Sequence, residues 1–297
     1  MSLIRPFAGL RPVPERADDV VAPPYDVLNS AEARQRADGR PYSFLHISKA
    51  EIDLPEDTDP YDMSVYAKAA ENLQKMIDAG ILKRDNKPCY YVYRLTMGSH
   101  VQTGLVAAAS AAEYDINRIR KHEFTRPAKE DDRVRQIEAL NAQTGPVLLA
   151  YKSQDDIDQL IASVTSAPPE YDLTADDGIG HSFWVVDDPA VIDKLTAGFD
   201  AMEAIYIADG HHRSAAGSRV AASANRGPDA MSSYFLSVIF PHKQMKILDY
   251  NRVVKDLNGM TADDLLDKLK VAFEARPEAV AVSPSQPGEF GMYVQGQ

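Results

Sequence analysis

The residues best suited to chemistry lie in the stretch YIADGHHRSAAGSRV. An apolar run ends at Asp209 and Gly210, and His211, His212 and Arg213 then begin an alanine-rich run that predicts a helix. The first N–H groups of a helix are unpaired and carry the positive end of its dipole. Gly210 lets the backbone approach a ligand closely, and Arg213 offers a planar fork for phosphate oxygens. This strand–glycine–helix context favours a site for an anion such as phosphate.

A metal ion and a plain helix cap are the alternatives at this stretch. Adjacent His211 and His212 cannot point the same way from one helix turn, so they are poorly spaced for a single metal ion. Asp209 is a suitable N-cap, and in that interpretation the histidines are merely solvated. Because a capping Asp209 is compatible with an anion site, a cap at this position would not exclude anion binding.

A second stretch, RIRKHEFTRPAKEDDRVR, is locally basic in an acidic chain, with seven Arg or Lys residues against four Asp or Glu. Such an island suits a polyanion such as a nucleotide triphosphate. Glu123 beside His122 suits a general base or a metal ligand. The alternative is a solvated loop that leads into a charged helix beginning near Lys129.

A third stretch, APPYDV, presents two polar side chains from a stiff turn. Pro23 and Pro24 restrict the backbone, and Tyr25 and Asp26 follow them directly. Asp26 suits Mg²⁺ or a substrate amine. The alternative is a rigid turn whose Tyr25 packs on the core.

Composition limits the partners and the compartment. The 297 residues carry a net charge of −12, which disfavours unspecific binding to DNA or to an anionic membrane. The single cysteine, Cys89, cannot form a disulfide framework within one chain, and we expect a reduced, cytoplasmic setting. No apolar stretch has the length of a membrane span or a signal peptide. The P-loop, dinucleotide-binding, G-x-S-x-G and H-E-x-x-H motifs are all missing from the sequence.

Periodicity predicts alternating helices and strands that position these stretches. Strands are predicted at residues 41–48, 88–96, 100–110, 146–152, 181–188, 204–209, 232–240 and 244–250, with a further strand-like end at 288–297. Helices are predicted from Ser30 as N-cap to Gly39, at 64–82, from about 129, and at 154–167, 189–199, 211–223 and 261–273, the last with Thr261 as N-cap. Because several strands are adjacent in the chain, we expect an α+β fold with mixed sheets and surrounding helices.

Five stretches carry a resemblance to a known family. PFAGLRP, VVAPPYDV, KHEFT, YIADGHHR and NRVVKDLNGM occur in the order typical of the bacterial and archaeal domain of unknown function 1015 family, and the chain is identified as a member of it. Members are often labelled ParB-like and are usually longer, which implies that about the last quarter is missing here. The DGHHR stretch resembles the phosphate-binding stretch of the ParB/sulfiredoxin superfamily, and free serine kinases of that superfamily carry a very similar sequence.

The resemblance implies a set of roles and a division of the chain. Phosphate binding is expected of Asp209, Gly210, His211, His212 and Arg213. Catalytic roles are expected of Glu123, Asp26 and His122, and substrate contacts of Tyr25, Thr125 and Arg126. The expected cofactors are ATP or ADP with Mg²⁺, and no residue is assigned as a metal ligand. We expect an α/β region at residues 1–200 and a ParB/sulfiredoxin-like nucleotide-binding unit at 201–297, or else one domain.

Three functions follow from these expectations. The first is a phosphotransferase that acts on a small hydroxyl metabolite, with free L-serine as the best candidate. The second is a ParB-like, nucleotide-binding regulator without turnover. The third is a metal-dependent hydrolase that uses His122, Glu123, His211 and His212. The expected partners are a nucleotide and a small molecule, with no membrane and no nucleic acid, while the acceptor, the phosphate donor and the oligomeric state stay open. The kinase assignment requires that the HEFT and DGHHR stretches meet in the folded chain.

Overall fold

A mixed β-sheet underlies the first of two compact units, residues 1–245 and 246–297. The computed structural model describes residues 2–278 and 280–294. The strands are β1 (Ile4–Arg5), β2 (Leu10–Pro12), β3 (Leu82–Arg84), β4 (Tyr90–Met97), β5 (His100–Ser110), β6 (Ile119–Arg120), β7 (Val147–Tyr151), β8 (Tyr171–Thr174), β9 (Gly180–Val186), β10 (Ile205–Asp209) and β11 (Tyr234–Pro241). The helices are α1 (Ala17–Val20), α2 (Ser30–Ala37), α3 (Leu45–Ser48), α4 (Met63–Asp78), α5 (Ala111–Asp115), α6 (Pro127–Leu140), α7 (Asp155–Val164), α8 (Pro189–Asp200), α9 (His211–Ala224) and α10 (Ala262–Leu269).

The strands of the sheet pair in the order β6-β10-β7-β11-β5-β4-β9-β8, with β1 beside β5. The pairs β6–β10 and β7–β11 are parallel, and the other pairs in this sheet are antiparallel. The expected α+β fold with a mixed sheet and surrounding helices is therefore confirmed. Strands β10 and β11 lie after residue 200 in sequence and pair with strands from before it, so the sheet includes both sides of the predicted boundary.

Helices α7, α8 and α9 pack on this sheet through one apolar core. The Phe199 ring of α8 lies edge-on to the Tyr151 ring of β7, with the ring centroids 5.2 Å apart. Gly217 of α9 lies so close to β11 that an added Cβ would come within 2.8 Å of Phe235 Cβ. A second core joins α3, α4, β3 and Leu140 of α6. Because α6 also packs along α9, the starts of both helices are held on well-packed elements.

Most of the predicted elements are confirmed. Helix α4 buries the predicted apolar positions Val65, Ala69, Leu73 and Met76 on one face. Strands β4 and β5 form the predicted hairpin, in which Met97 pairs with His100 across a two-residue turn. The strands and helices expected around residues 146–224 also form, with ends displaced by a few residues.

The strand predicted at residues 41–48 is wrong, because this segment forms a turn followed by α3. Leu45 and Ile47 are both buried, but they belong to two different apolar clusters. A strand with alternating burial would have placed both side chains on one face, whereas the short helix fills the space between two cores. A short apolar run does not distinguish these two outcomes in sequence.

Two other predictions need correction. The N-cap of α2 is Asn29 and not Ser30, because Asn29 and Glu32 form a reciprocal capping box, while the Ser30 hydroxyl donates to Glu51 Oε1 at 2.9 Å. Residues 244–250 form no strand; Gln244 instead accepts the backbone N–H of Thr103 at 2.7 Å.

The second unit contains α10, which Thr261 caps as predicted. Residues 288–294 of this unit form no strand, and the rest of that predicted strand, residues 295–297, lies outside the described residues. No helix within residues 2–278 and 280–294 is both long and apolar enough to cross a membrane.

Candidate functional site

The loop between β6 and α6, residues 121–126, lies on the first turn of α9. The backbone N–H of His122 donates to His211 Nε2 at 3.4 Å, and that of Arg126 donates to His212 Nε2 at 3.1 Å. The two adjacent histidines therefore contact the same loop at points four residues apart. The HEFT and DGHHR stretches, which are more than 80 residues apart in sequence, meet at this place.

His211 is buried between this loop and its own helix, with 4% of its surface exposed. Its ring lies edge-on to the ring of His122, with the centroids 4.4 Å apart, and its Nδ1 lies 3.5 Å from Glu123 Oε2. Burial lowers the pKa of His211, and the neighbouring His122 lowers it further. Since Nε2 accepts a backbone hydrogen bond, the neutral ring carries its proton on Nδ1 and points it toward Glu123.

Arg213 folds back over the start of α9. Its Nη2 donates to Asp209 Oδ2 at 2.5 Å, and its Nη1 donates to the carbonyl oxygen of Pro146. Gly210 has a φ of +96°, and an added Cβ at Gly210 would lie 3.1 Å from Arg213 Nε. Gly145 lies on the other side, where a Cβ would come within 3.3 Å of Arg213 Cδ. Two glycines thus leave the space in which the guanidinium is fixed.

Asp209 does not cap α9, so that part of the sequence-based interpretation is wrong. The N-cap is Gly210, and its left-handed backbone turns the chain so that the Asp209 carboxylate meets Arg213 and not the helix N–H groups. Ser214 is the first residue whose N–H joins the helical ladder, by donating to the carbonyl of Gly210. Within the described part of the chain no side chain caps this helix, so the N–H groups of residues 211–213 stay available.

A second helix begins beside the first. Arg126 is the N-cap of α6, Pro127 occupies its first turn, and no side chain from the described residues caps it. Two ion pairs hold α6 against α9, because Arg219 lies 3.3 Å from Glu130 and 2.7 Å from Asp131. The positive ends of two helix dipoles therefore meet at the 121–126 loop, which favours an anion there.

The APPYDV turn reaches the same region through Tyr25. The guanidinium of Arg133 lies over the Tyr25 ring at 4.2 Å, and Arg133 Nε donates to Asp132 Oδ2 at 2.9 Å. Burial raises the pKa of Tyr25, while the charges of Arg133 and Arg213 act in the opposite direction. Tyr25 therefore contacts α6, whose first turn follows the 121–126 loop, and Asp26 is exposed in the same turn as Tyr25.

Arg133 and the Pro146 carbonyl are the contacts that the sequence did not reveal. Arg133 lies seven residues after Arg126, a spacing that places two side chains on one face of a helix. The sequence could therefore have indicated Arg133 from its spacing to Arg126. The Pro146 carbonyl carries no signal in sequence, because every residue has a carbonyl.

The loop residues differ in exposure in a way that bears on their roles. Thr125 is half-buried, whereas His122, Glu123 and Arg126 are exposed, and Phe124 at the middle of the loop is 99% exposed. Among the residues that the structure describes, no group of three or more His, Cys, Asp or Glu side chains is arranged to hold a metal ion. The site therefore combines free helix N–H groups, a fixed guanidinium and an exposed carboxylate.

Comparison with known proteins identifies a family but no characterised relative. The model of a family described as "Protein of unknown function (DUF1015)" matches residues 4–297. No curated protein and no solved structure matches the chain.

Proposed function

We propose, for a chain that belongs to the DUF1015 family of proteins of unknown function, a nucleotide-dependent phosphotransferase activity toward a small hydroxyl metabolite. Free L-serine is the first acceptor to test. The observation that carries this proposal is the meeting of the 121–126 loop with the first turn of α9. This contact brings an exposed carboxylate, Glu123, to the same place as an uncapped helix start and Arg213.

The start of α9 is suited to a phosphate group. Its free N–H groups and dipole together stabilise a bound anion by about 0.3–2 kcal/mol. Arg213 adds a planar fork whose position is set by Asp209 and the Pro146 carbonyl, so little side-chain entropy is lost on binding. Because Gly210 has no Cβ, the Arg213 guanidinium can lie directly against the backbone at the start of α9.

The residues of the loop would act on the acceptor. Glu123 would accept the proton of the acceptor hydroxyl, and its contact with His211 Nδ1 would orient the carboxylate. Arg213 and the helix start would neutralise charge that develops on the transferred group. Tyr25, Thr125 and Arg126 would contact the acceptor.

ATP or ADP with Mg²⁺ would supply the phosphoryl group and part of the charge neutralisation when bound. Mg²⁺ usually keeps several waters and takes one or two protein carboxylates, and the exposed carboxylate of Asp26 suits that role. No cage of protein ligands is required for such an ion.

The test is direct formation of phosphoserine. Purified chain is incubated with Mg²⁺, L-serine and either ATP or ADP, and the products are followed by ³¹P NMR and mass spectrometry. We expect phosphoserine from the native chain, loss of it in Arg213→Ala, and retention in Arg226→Ala, which removes an exposed arginine just after the same helix. Nucleotide binding without any turnover of serine or other hydroxyl metabolites would contradict the proposal and favour the regulator.

A further inference from the structure

A separate cleft of about 400 Å³ opens between α4 and the segment around α3. Its volume is within the range of small-molecule sites. Its walls include Tyr42, His46, Asp53 and a row of side chains from α4. It shares none of its lining residues with the candidate phosphotransferase site.

One wall carries a net positive charge. Lys68 and Lys75 lie seven residues apart, which places both on the same face of α4, and both line the cleft. They share a single carboxylate, since Glu71 Oε2 lies 3.2 Å from Lys68 Nζ and Glu71 Oε1 lies 2.5 Å from Lys75 Nζ. Two ammonium groups against one carboxylate leave capacity for an additional anion.

The floor offers hydrogen-bond acceptors that are fixed in place. Asn72 is 9% exposed, and its Nδ2 donates to the His46 carbonyl and to Asp53 Oδ2, each at 2.7 Å. Both amide hydrogens are thereby used, and no hydrogen bond to Asn72 Oδ1 is found from the residues that the structure describes. This Oδ1 is a free acceptor on a side chain that lines the cleft.

His46 fixes the other acceptor of the floor. Its Nδ1 lies 2.9 Å from Asp53 Oδ1, and its Nε2 lies 3.1 Å from the Arg40 carbonyl. The ring and the carboxylate are thus held from several sides. Met76 and Tyr42 supply an apolar and an aromatic surface beside these polar groups.

We propose that this cleft binds a small carboxylic acid that carries a hydrogen-bond donor on the adjacent carbon, that is, an α-amino or α-hydroxy acid. The ligand carboxylate is held by Lys68 and Lys75. Its ammonium or hydroxyl group donates to Asn72 Oδ1 and Asp53, and an apolar side chain lies against Tyr42 and Met76. The site is additional to the phosphotransferase site and does not depend on it.

The test is calorimetric titration of the full chain with matched compounds. The panel contains the twenty L-amino acids, their available 2-hydroxy analogues, 4-methylpentanoate, which lacks the donor, and 3-methylbutylamine, which lacks the carboxylate. We expect binding of at least one α-amino or α-hydroxy acid and none of the last two compounds. Comparison of the amino and hydroxy members identifies which donor the site takes.

Variants locate the binding. Lys68→Met and Lys75→Met should each weaken affinity about tenfold or more, as expected for loss of a charged hydrogen bond. Lys83→Met, which removes an exposed lysine of β3, should leave affinity unchanged, and circular dichroism checks that each variant is folded. Arg213→Ala should also leave it unchanged, so failure of this proposal is distinguishable from failure of the phosphotransferase. Binding of no panel member, or native affinity in both Lys68→Met and Lys75→Met, would overturn the proposal.

Discussion

Replacement of Gly210 by alanine tests whether Arg213 is held over this glycine to bind phosphate. The new Cβ would lie 3.1 Å from Arg213 Nε and 3.2 Å from Cζ, so the guanidinium must shift by a few tenths of an ångström. The φ of +96° also strains any residue with a side chain. Such strain costs on the order of 1–3 kcal/mol.

Gly80 provides a matched control. It has a φ of +70° at the end of α4, but an added Cβ would meet nothing within 4 Å. Gly80→Ala therefore carries a similar backbone cost, about 1–3 kcal/mol, without any contact with the site. Displacing Arg213 from the partly exposed Asp209 should add only about 0–1 kcal/mol to the loss of stability.

Nucleotide affinity should distinguish the two variants where stability does not. Loss of a charge-assisted hydrogen bond to phosphate costs about 1.5–3 kcal/mol, so Gly210→Ala should weaken ATP binding about 10- to 100-fold. Urea unfolding measures the stability of both variants, and calorimetric titration with ATP and Mg²⁺ measures affinity. Equal ATP affinity in Gly210→Ala and Gly80→Ala would refute the inference that Arg213 is held over Gly210 to bind phosphate.

Three further changes test other parts of the account. Glu123→Gln should lower the rate of phosphoserine formation by about 10²–10⁴ and leave nucleotide binding intact, with Glu138→Gln, exposed on α6, as the control. Gly217→Ala should cost about 1–3 kcal/mol in urea unfolding, because its Cβ would come within 2.8 Å of Phe235; unchanged stability would show that α9 can shift. Because burial lowers the pKa of His211, the folded chain binds its proton less readily than the unfolded chain. The corresponding stability is present above about pH 6.5 and is lost as the pH falls below it, and His211→Gln should reduce this loss between pH 7.5 and 5.5.

The sequence predicted the elements whose signals are local. The β4–β5 hairpin follows from alternating residues around Gly98, and the start of α9 follows from an apolar strand, a glycine and an alanine-rich run. The segment around Leu45 was mispredicted because its helix is decided by burial against two separate cores, which is tertiary information.

Contacts within the site were predictable only in part. The two motifs that meet were both identified from residue types, but the way they meet uses backbone N–H groups of the 121–126 loop, which have no signature in sequence. The capping role considered for Asp209 was wrong, because a capping residue and a residue paired with Arg213 look alike in sequence. The left-handed backbone of Gly210 decides between them.

The central claim is that the N–H groups at the start of α9 bind a nucleotide phosphate. ¹H–¹⁵N NMR of the native chain, titrated with ATP and Mg²⁺, measures this directly through the amide shifts of residues 211–213. The start of α7 is a suitable internal control, because its first turn also lacks a side-chain cap within the described structure but carries three acidic residues, Asp155, Asp156 and Asp158. We predict saturable shifts at residues 211–213 and in the 121–126 loop, and none at the start of α7. Saturable binding that leaves residues 211–213 unshifted would contradict the account.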